Sequence, residues 1–173
     1  MRRTAVIVAV PQAGPVVDPW RERTCVDKPS LGIPAHITLL FPFVPAELVD
    51  DRVLADLRSL FAATPAFEFA MRRTARFPDT LYLAPEPAEP FVRLTEEIVR
   101  RFPDYPPYEG AFDTVVPHVT VAHGEPELLD EAHADVRRAL PLRSVASEAI
   151  LLEELEPDWG PWGPRERFPL ELM

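Results

Sequence analysis

The sequence is short of cysteine, of glycine, of positive charge and of long apolar runs. A single cysteine, Cys25, rules out an intramolecular disulfide and fits a reducing compartment. It stands in the charged stretch Arg23-Thr-Cys-Val-Asp-Lys28 with no histidine beside it in sequence, which makes it a poor candidate nucleophile. Only 6 glycines occur in 173 residues, and neither G-x-G-x-x-G nor G-x-x-x-x-G-K-[ST] is present. Nucleotide binding of the Rossmann or P-loop kind therefore has no support. Collagen-like and Gly/Ser-linker readings fail for the same lack. The N-terminal run Ala5 to Val10 follows Arg2-Arg3 as a secretory signal would, but it ends at Pro11 without a clear Ala-x-Ala site. It reads as a buried first strand. No run approaches the roughly 18 residues of a membrane span. With 18 Lys and Arg against 28 Asp and Glu, the formal charge is −10. That balance opposes sequence-independent binding of long nucleic acid or an anionic membrane, and leaves room for a small anion in a locally basic cleft. A cytoplasmic monomer with no membrane partner is the expectation.

What is abundant is proline, at 22 residues, in a chain that is otherwise 47% hydrophobic and so able to bury a core. Much of the proline punctuates. Pro45 and Pro126 stand where helices begin, and Pro65 and Pro141 where they have ended. Helical spacing covers Ala46 to Ala62, Pro90 to Arg101 and Glu127 to Leu140. Strand-like runs cover 4–10, 35–40, 66–74, 80–83, 117–122, 147–155 and, more weakly, 167–170. Short strands with tight links, such as the one across Arg76-Phe-Pro-Asp79, predict antiparallel pairing and an α+β fold with helices on the outer faces.

Two segments repeat a pattern. Pro34-Ala-His36-Ile-Thr38-Leu and Pro117-His118-Val-Thr120-Val share His, aliphatic, Thr, aliphatic, and the two histidines are 82 residues apart. Random placement of 4 His and 9 Thr gives roughly 0.2 His-x-Thr triplets, so two in strand-like settings are not a compositional accident. The spacing predicts two lobes built from related halves of the chain. Alternation along a strand turns His36 and Thr38 to one face and Ile37 and Leu39 to the other, and does the same for His118 and Thr120. Two imidazoles across a cleft can act as general base and general acid, and two hydroxyls can donate to phosphoryl oxygens. A zinc site on the two histidines would need a third ligand, and neither His123 nor His133 supplies one at a recognisable spacing.

The segments His36-Ile-Thr-Leu and His118-Val-Thr-Val resemble the paired signatures of the 2H phosphoesterase superfamily. Within it they resemble the 2′-5′ RNA ligase (LigT-like) and RNA 2′,3′-cyclic phosphodiesterase branch. The context agrees, with His36-Ile-Thr-Leu-Leu-Phe-Pro-Phe43, a helix, and Phe77-Pro-Asp-Thr-Leu-Tyr-Leu-Ala-Pro85 in matching order. The resemblance implies one bilobal domain over 1–173, with two antiparallel sheets flanking a central cleft. It implies a hydrolase of cyclic phosphodiesters at RNA ends or on small nucleotides, with possible reversible 2′-5′ ligation and with no cofactor or metal. It makes His36 and His118 catalytic, His118 as base and His36 as acid, with Thr38 and Thr120 on the phosphate. The alternative is a nucleotide or RNA-end binding module without turnover.

Further substrate contacts are expected from Arg72, Arg76, Tyr82 and His123. Alternation over 66–74 puts Phe67, Phe69 and Met71 in the core and turns Glu68, Ala70, Arg72 and Thr74 toward the cleft. Tyr82 faces away from Leu81 and Leu83, where a base could stack on it. Members of the family it resembles often carry an arginine shortly after the second motif, where this chain has His123; alternation puts His123 opposite His118 unless the strand ends first. Phe41 and Phe43 are read as packing in the core or bracing the first motif, His133 as a solvated helix residue, and Trp159-Gly-Pro-Trp162 as a packed turn with cleft capping as its alternative.

Overall fold

Among the described residues, 1–172 of the computed structural model, eight strands and four α-helices alternate along the chain. They are β1 (Thr4–Ala9), α1 (Gly14–Thr24), β2 (His36–Leu40), α2 (Asp51–Ala62), β3 (Phe67–Phe77), β4 (Thr80–Glu86), α3 (Glu89–Arg101), β5 (Val119–His123), α4 (Pro126–Val136), β6 (Leu142–Ala146), β7 (Glu148–Glu154) and β8 (Trp162–Pro169). All strand pairs are antiparallel and form two four-stranded sheets, ordered β2-β1-β7-β8 and β5-β4-β3-β6. The α+β architecture with antiparallel sheets is the one expected from the sequence. The sheets do not coincide with the two halves of the chain, however. The first two and last two strands build one sheet, and the middle four build the other.

Helix placement interlocks the sheets. α1 follows a strand of the first sheet but packs on β5 of the second, and α3 follows a strand of the second but packs on β2 of the first. α3 presents Phe91, Leu94, Thr95 and Ile98 inward at helical spacing, and the Thr95 hydroxyl donates to the Leu39 carbonyl at 2.7 Å. Phe91 meets Phe69 of β3 edge-on at 5.0 Å, so one helix buries apolar area against both sheets. α2 starts later than expected. A short 3₁₀ turn occupies Ala46–Leu48, and Asp50 then caps α2 by accepting from the Val53 amide at 2.9 Å. The last helix ends at Val136 and tightens into a 3₁₀ turn over Arg137–Ala139. Among the described residues, no helix is long and apolar enough to cross a membrane.

Two elements are unforeseen in sequence. β6 has little alternating apolar signal, because its buried positions are Ser144 and Ala146. α1 carries Gly14 and Pro15 in its first turn and Pro19 within it, a composition that reads as loop. Tertiary contacts stabilise it. Val17 and Arg21, four residues apart, face inward, and the Trp20 indole donates to Asp135 of α4 at 2.7 Å.

Arg21 is 1% exposed and fastens the connection from α1 to β2. Its guanidinium donates to the carbonyls of Asp27 and Ile33 and pairs with the carboxylates of Asp18 and Asp27. Replacing it by methionine leaves those carbonyls unanswered while filling the volume. Arg21→Met should lower the free energy of unfolding by about 3 kcal/mol, read from urea denaturation. An unchanged midpoint would show that this connection does not depend on the buried cation.

Candidate active site

The two His-x-Thr strands are edge strands, β2 of one sheet and β5 of the other, and they lie side by side. Ile37 and Leu39 are fully buried on the core side of β2 while His36 and Thr38 are half-buried on the other. In β5 Val119 is buried and Thr120 half-buried, and His118 precedes the strand by one residue. His36, Thr38, His118 and Thr120 all line one cavity of about 730 Å³ between the sheets.

Both imidazoles are oriented in the same way. His36 Nδ1 lies 2.7 Å from the Pro34 carbonyl oxygen, and His118 Nδ1 lies 2.6 Å from that of Val116. A carbonyl only accepts, so each Nδ1 carries the proton and donates it two residues upstream. The lone pair of each neutral ring is then on Nε2. Burial is the main influence on both rings and holds each below the ordinary imidazole range. The Asp27 carboxylate, also on the cavity wall, opposes that shift for both. Burial pushes the Cys25 thiol up to about 11, which leaves it protonated and unsuited to nucleophilic attack.

The four further candidates separate. Arg72 and Arg76 do not reach the cavity. An extra residue at Arg72 bulges β3 against β4, where Met71 pairs with Pro85 and Arg73 with Ala84. Beyond that bulge the faces exchange. Thr74 and Arg76 turn to α4, where Thr74 bonds His133 at 2.7 Å and Arg76 pairs with Asp130 at 2.5 Å. His133 is therefore held by β3 and is not simply solvated. Arg72 pairs with Glu86 at 3.5 Å beside a separate shallow pocket.

Tyr82 does not offer an open face to a ligand. It is 8% exposed, stacks on Phe77 at 4.4 Å and meets the His118 ring at 5.4 Å, so it braces that histidine. His123 lines the cavity on the same side as His118. A second bulge explains this. Thr120 pairs with Tyr82 and Ala122 with Leu81, which leaves Val121 as the extra residue and reverses the alternation before His123.

Aromatic residues complete the cavity wall, among them the Trp159–Trp162 segment for which cleft capping is the alternative reading in sequence. Phe77 is turned into it by the β3 bulge and meets His118 edge-on at 5.2 Å. Phe41 lines the cavity, whereas Phe43 is core as expected. Trp162 belongs to β8 and not to a turn, and both it and Trp159 form part of the wall. Asp27 carries no signal in sequence, since nothing local sets it apart from other acidic residues. The conjunction of aromatic wall, hydroxyls and two oriented imidazoles suits acid–base chemistry on a compact anion with an aromatic or apolar body.

The family model of the 2′-5′ RNA ligase superfamily matches residues 9–158. A Bacillus pumilus (strain SAFR-032) protein named "Putative phosphoesterase" is 33% identical over 145 residues, covering 79% of each chain. A Geobacillus kaustophilus (strain HTA426) protein, also named "Putative phosphoesterase", is 31% identical over 149 residues, covering 79% of this chain and 78% of its own. Among solved structures, TT0787 of Thermus thermophilus matches at a TM-score of 0.64 with 24% identity over 98% of both chains. E. coli LigT in complex with NADP+ matches at 0.59 with 18% identity, again over 98% of both. These structures share the fold, and the sequence matches carry the kinship: the chain belongs to the 2′-5′ RNA ligase superfamily of 2H phosphoesterases.

Proposed function

We propose that this protein hydrolyses 2′,3′-cyclic phosphodiesters, on small nucleotides or at an RNA end. The observation that carries the reading is the matched pair of imidazoles, each locked through Nδ1 on the carbonyl two residues upstream and each turned to one cavity with a threonine beside it. In the proposed step Nε2 of His118 takes a proton from water as the water oxygen bonds to phosphorus. His36, protonated on Nε2, gives its proton to the ribose oxygen that leaves. Thr38 and Thr120 donate to the non-bridging oxygens, whose charge grows in the transition state. No metal is needed for this division of labour. In 2′-5′ ligation a 5′-hydroxyl would take the place of water and the two histidines would keep their roles; they exchange them when the 2′-5′ linkage is cleaved back to the cyclic phosphate.

The cavity wall supports a substrate of low charge. Among its described lining residues the only fixed charges are Asp27 and Asp79, and no lysine or arginine is present. A cyclic phosphodiester carries one negative charge, which hydroxyls and a single protonated imidazole can balance. Phe77, Trp159 and Trp162 supply surface for a base. E. coli LigT is known in complexes with 3′-AMP and ATP as well as NADP+, which favours small nucleotides here too.

The direct test is turnover of 2′,3′-cyclic mononucleotides and cyclic-phosphate-ended RNA in excess EDTA. Hydrolysis is expected; none on any of these substrates would leave a binding module as the better reading. His36→Ala and His118→Ala should each lower kcat/KM by about 10²–10⁴-fold with circular dichroism unchanged. Arg72→Ala and Arg76→Ala should leave it within about twofold, because both side chains are engaged outside the cavity.

The pH profile has a definite sign. The acid must be protonated and the base neutral. Both free-enzyme rings titrate below their ordinary value of 6.5, held down by burial. A bell-shaped kcat/KM profile should therefore peak below pH 6.5, rising as the base loses its proton and falling as the acid does. Bound phosphate favours the charged rings, so the kcat profile should lie at higher pH. A kcat/KM peak above about pH 7.5 would contradict the assignment.

A further inference from the structure

Cys25, Asp27 and His123 come from the loop after α1 and from the end of β5, and the fold brings them together at the cavity wall. A thiol sulfur, a carboxylate oxygen and a ring nitrogen lie within 4.8 Å of one another. We propose that these three side chains form a site for a divalent cation of the zinc class, with a fourth coordination position open to the cavity.

The donor set specifies the class. One sulfur, one nitrogen and one oxygen suit Zn²⁺ or Co²⁺, whereas Mg²⁺ and Ca²⁺ prefer all-oxygen shells. Three protein ligands leave one tetrahedral position, and that position faces the cavity because Asp27 and His123 both line it. Cys25, 2% exposed, closes the site from behind.

Two observations beyond proximity point to a ligand. Asp27 Oδ1 is buried without a hydrogen-bond partner, while its other oxygen faces Arg21 at 3.7 Å. A carboxylate oxygen stripped of water and left unpaired is costly, and a cation would satisfy it. His123 is also held from its far side. The Thr80 hydroxyl lies 3.1 Å from the Asp79 carboxylate and 2.7 Å from His123 Nδ1. A carboxylate can only accept, so the hydroxyl gives its proton to Asp79 and accepts from Nδ1–H. The lone pair of His123 is thereby fixed on Nε2. This is a carboxylate–hydroxyl–histidine chain of the sort that orients metal-bound imidazoles. Thr24 joins the two segments, accepting the His123 amide at 3.2 Å and lying 3.5 Å from Cys25 Sγ.

Binding is balanced by one proton. The Cys25 S–H bond breaks, its proton leaves to solvent, and the sulfur bonds to the metal. Thiolate and carboxylate together then offset the cation's two charges.

The test is a titration of metal-stripped protein with Co²⁺. One equivalent should produce the near-ultraviolet thiolate-to-cobalt charge-transfer band, and Zn²⁺ should displace it. Zn²⁺ should also raise the melting temperature of the wild type. Cys25→Ser and Cys25→Ala, each first shown to be folded by circular dichroism, should lose the band. Asp27→Asn and His123→Ala should weaken Zn²⁺ binding at least tenfold, while His133→Ala should not. Absence of the band, or equal Zn²⁺ affinity in the cysteine variants, would overturn the site. Loss of binding in His36→Ala and His118→Ala with the cysteine variants unaffected would place the metal on the other histidines and overturn it as well. These readouts are spectroscopic and thermal, so they stand or fall independently of phosphodiester turnover.

Discussion

The site depends on the meeting of two sheets along their edge strands. An edge strand has one unpaired side, and β2 and β5 turn those sides toward one another. Neither strand then has a neighbour of its own sheet on the side that meets the other sheet. The cavity between them is what remains after α1 and α3 have crossed over to pack on the opposite sheet. This crossover fixes the distance between the two imidazoles, because moving one sheet would drag a helix out of the other's core.

A second constraint acts within each strand. An imidazole beside a wall of Phe77 and Tyr82 has lost water, and burial makes its charged form expensive. The carbonyl two residues upstream offsets part of that cost and settles which nitrogen faces the cavity. The proposed chemistry requires this combination. Burial holds both rings below their ordinary range, and their free nitrogen cannot turn away. The excess of acidic residues over the rest of the molecule does not conflict with it, since the contacts proposed for phosphate are short-range hydroxyls and imidazoles.

Fold class and the principal pair were legible in sequence for simple reasons. Alternation in β2 sends Ile37 and Leu39 inward and leaves His36 and Thr38 on the other face, and a second His-x-Thr in an aliphatic setting is too rare to be chance. α1 was not legible, because its prolines argue for a loop and only burial of Val17 and Arg21 makes it a helix. Nor were the cavity faces of β3 and β5. Alternation is a rule of unbroken pleats, and a bulge reverses it. One extra residue at Arg72 exchanged Arg76 for Phe77, and one at Val121 brought His123 to the side of His118.

Residue order alone is enough for the family, for the alternation that exposes His36 and Thr38, and for the lack of a Gly-rich phosphate loop. Those properties depend on residues within a few positions of each other. The company the histidines keep, namely Asp27, Phe77, His123 and the two tryptophans, arises only in the folded chain. Bulges, strand order and helix crossover set those contacts, and each comes from pairing between segments distant in the chain. Local residue patterns carry no record of which partner a strand will find, or of where the ladder will slip by one.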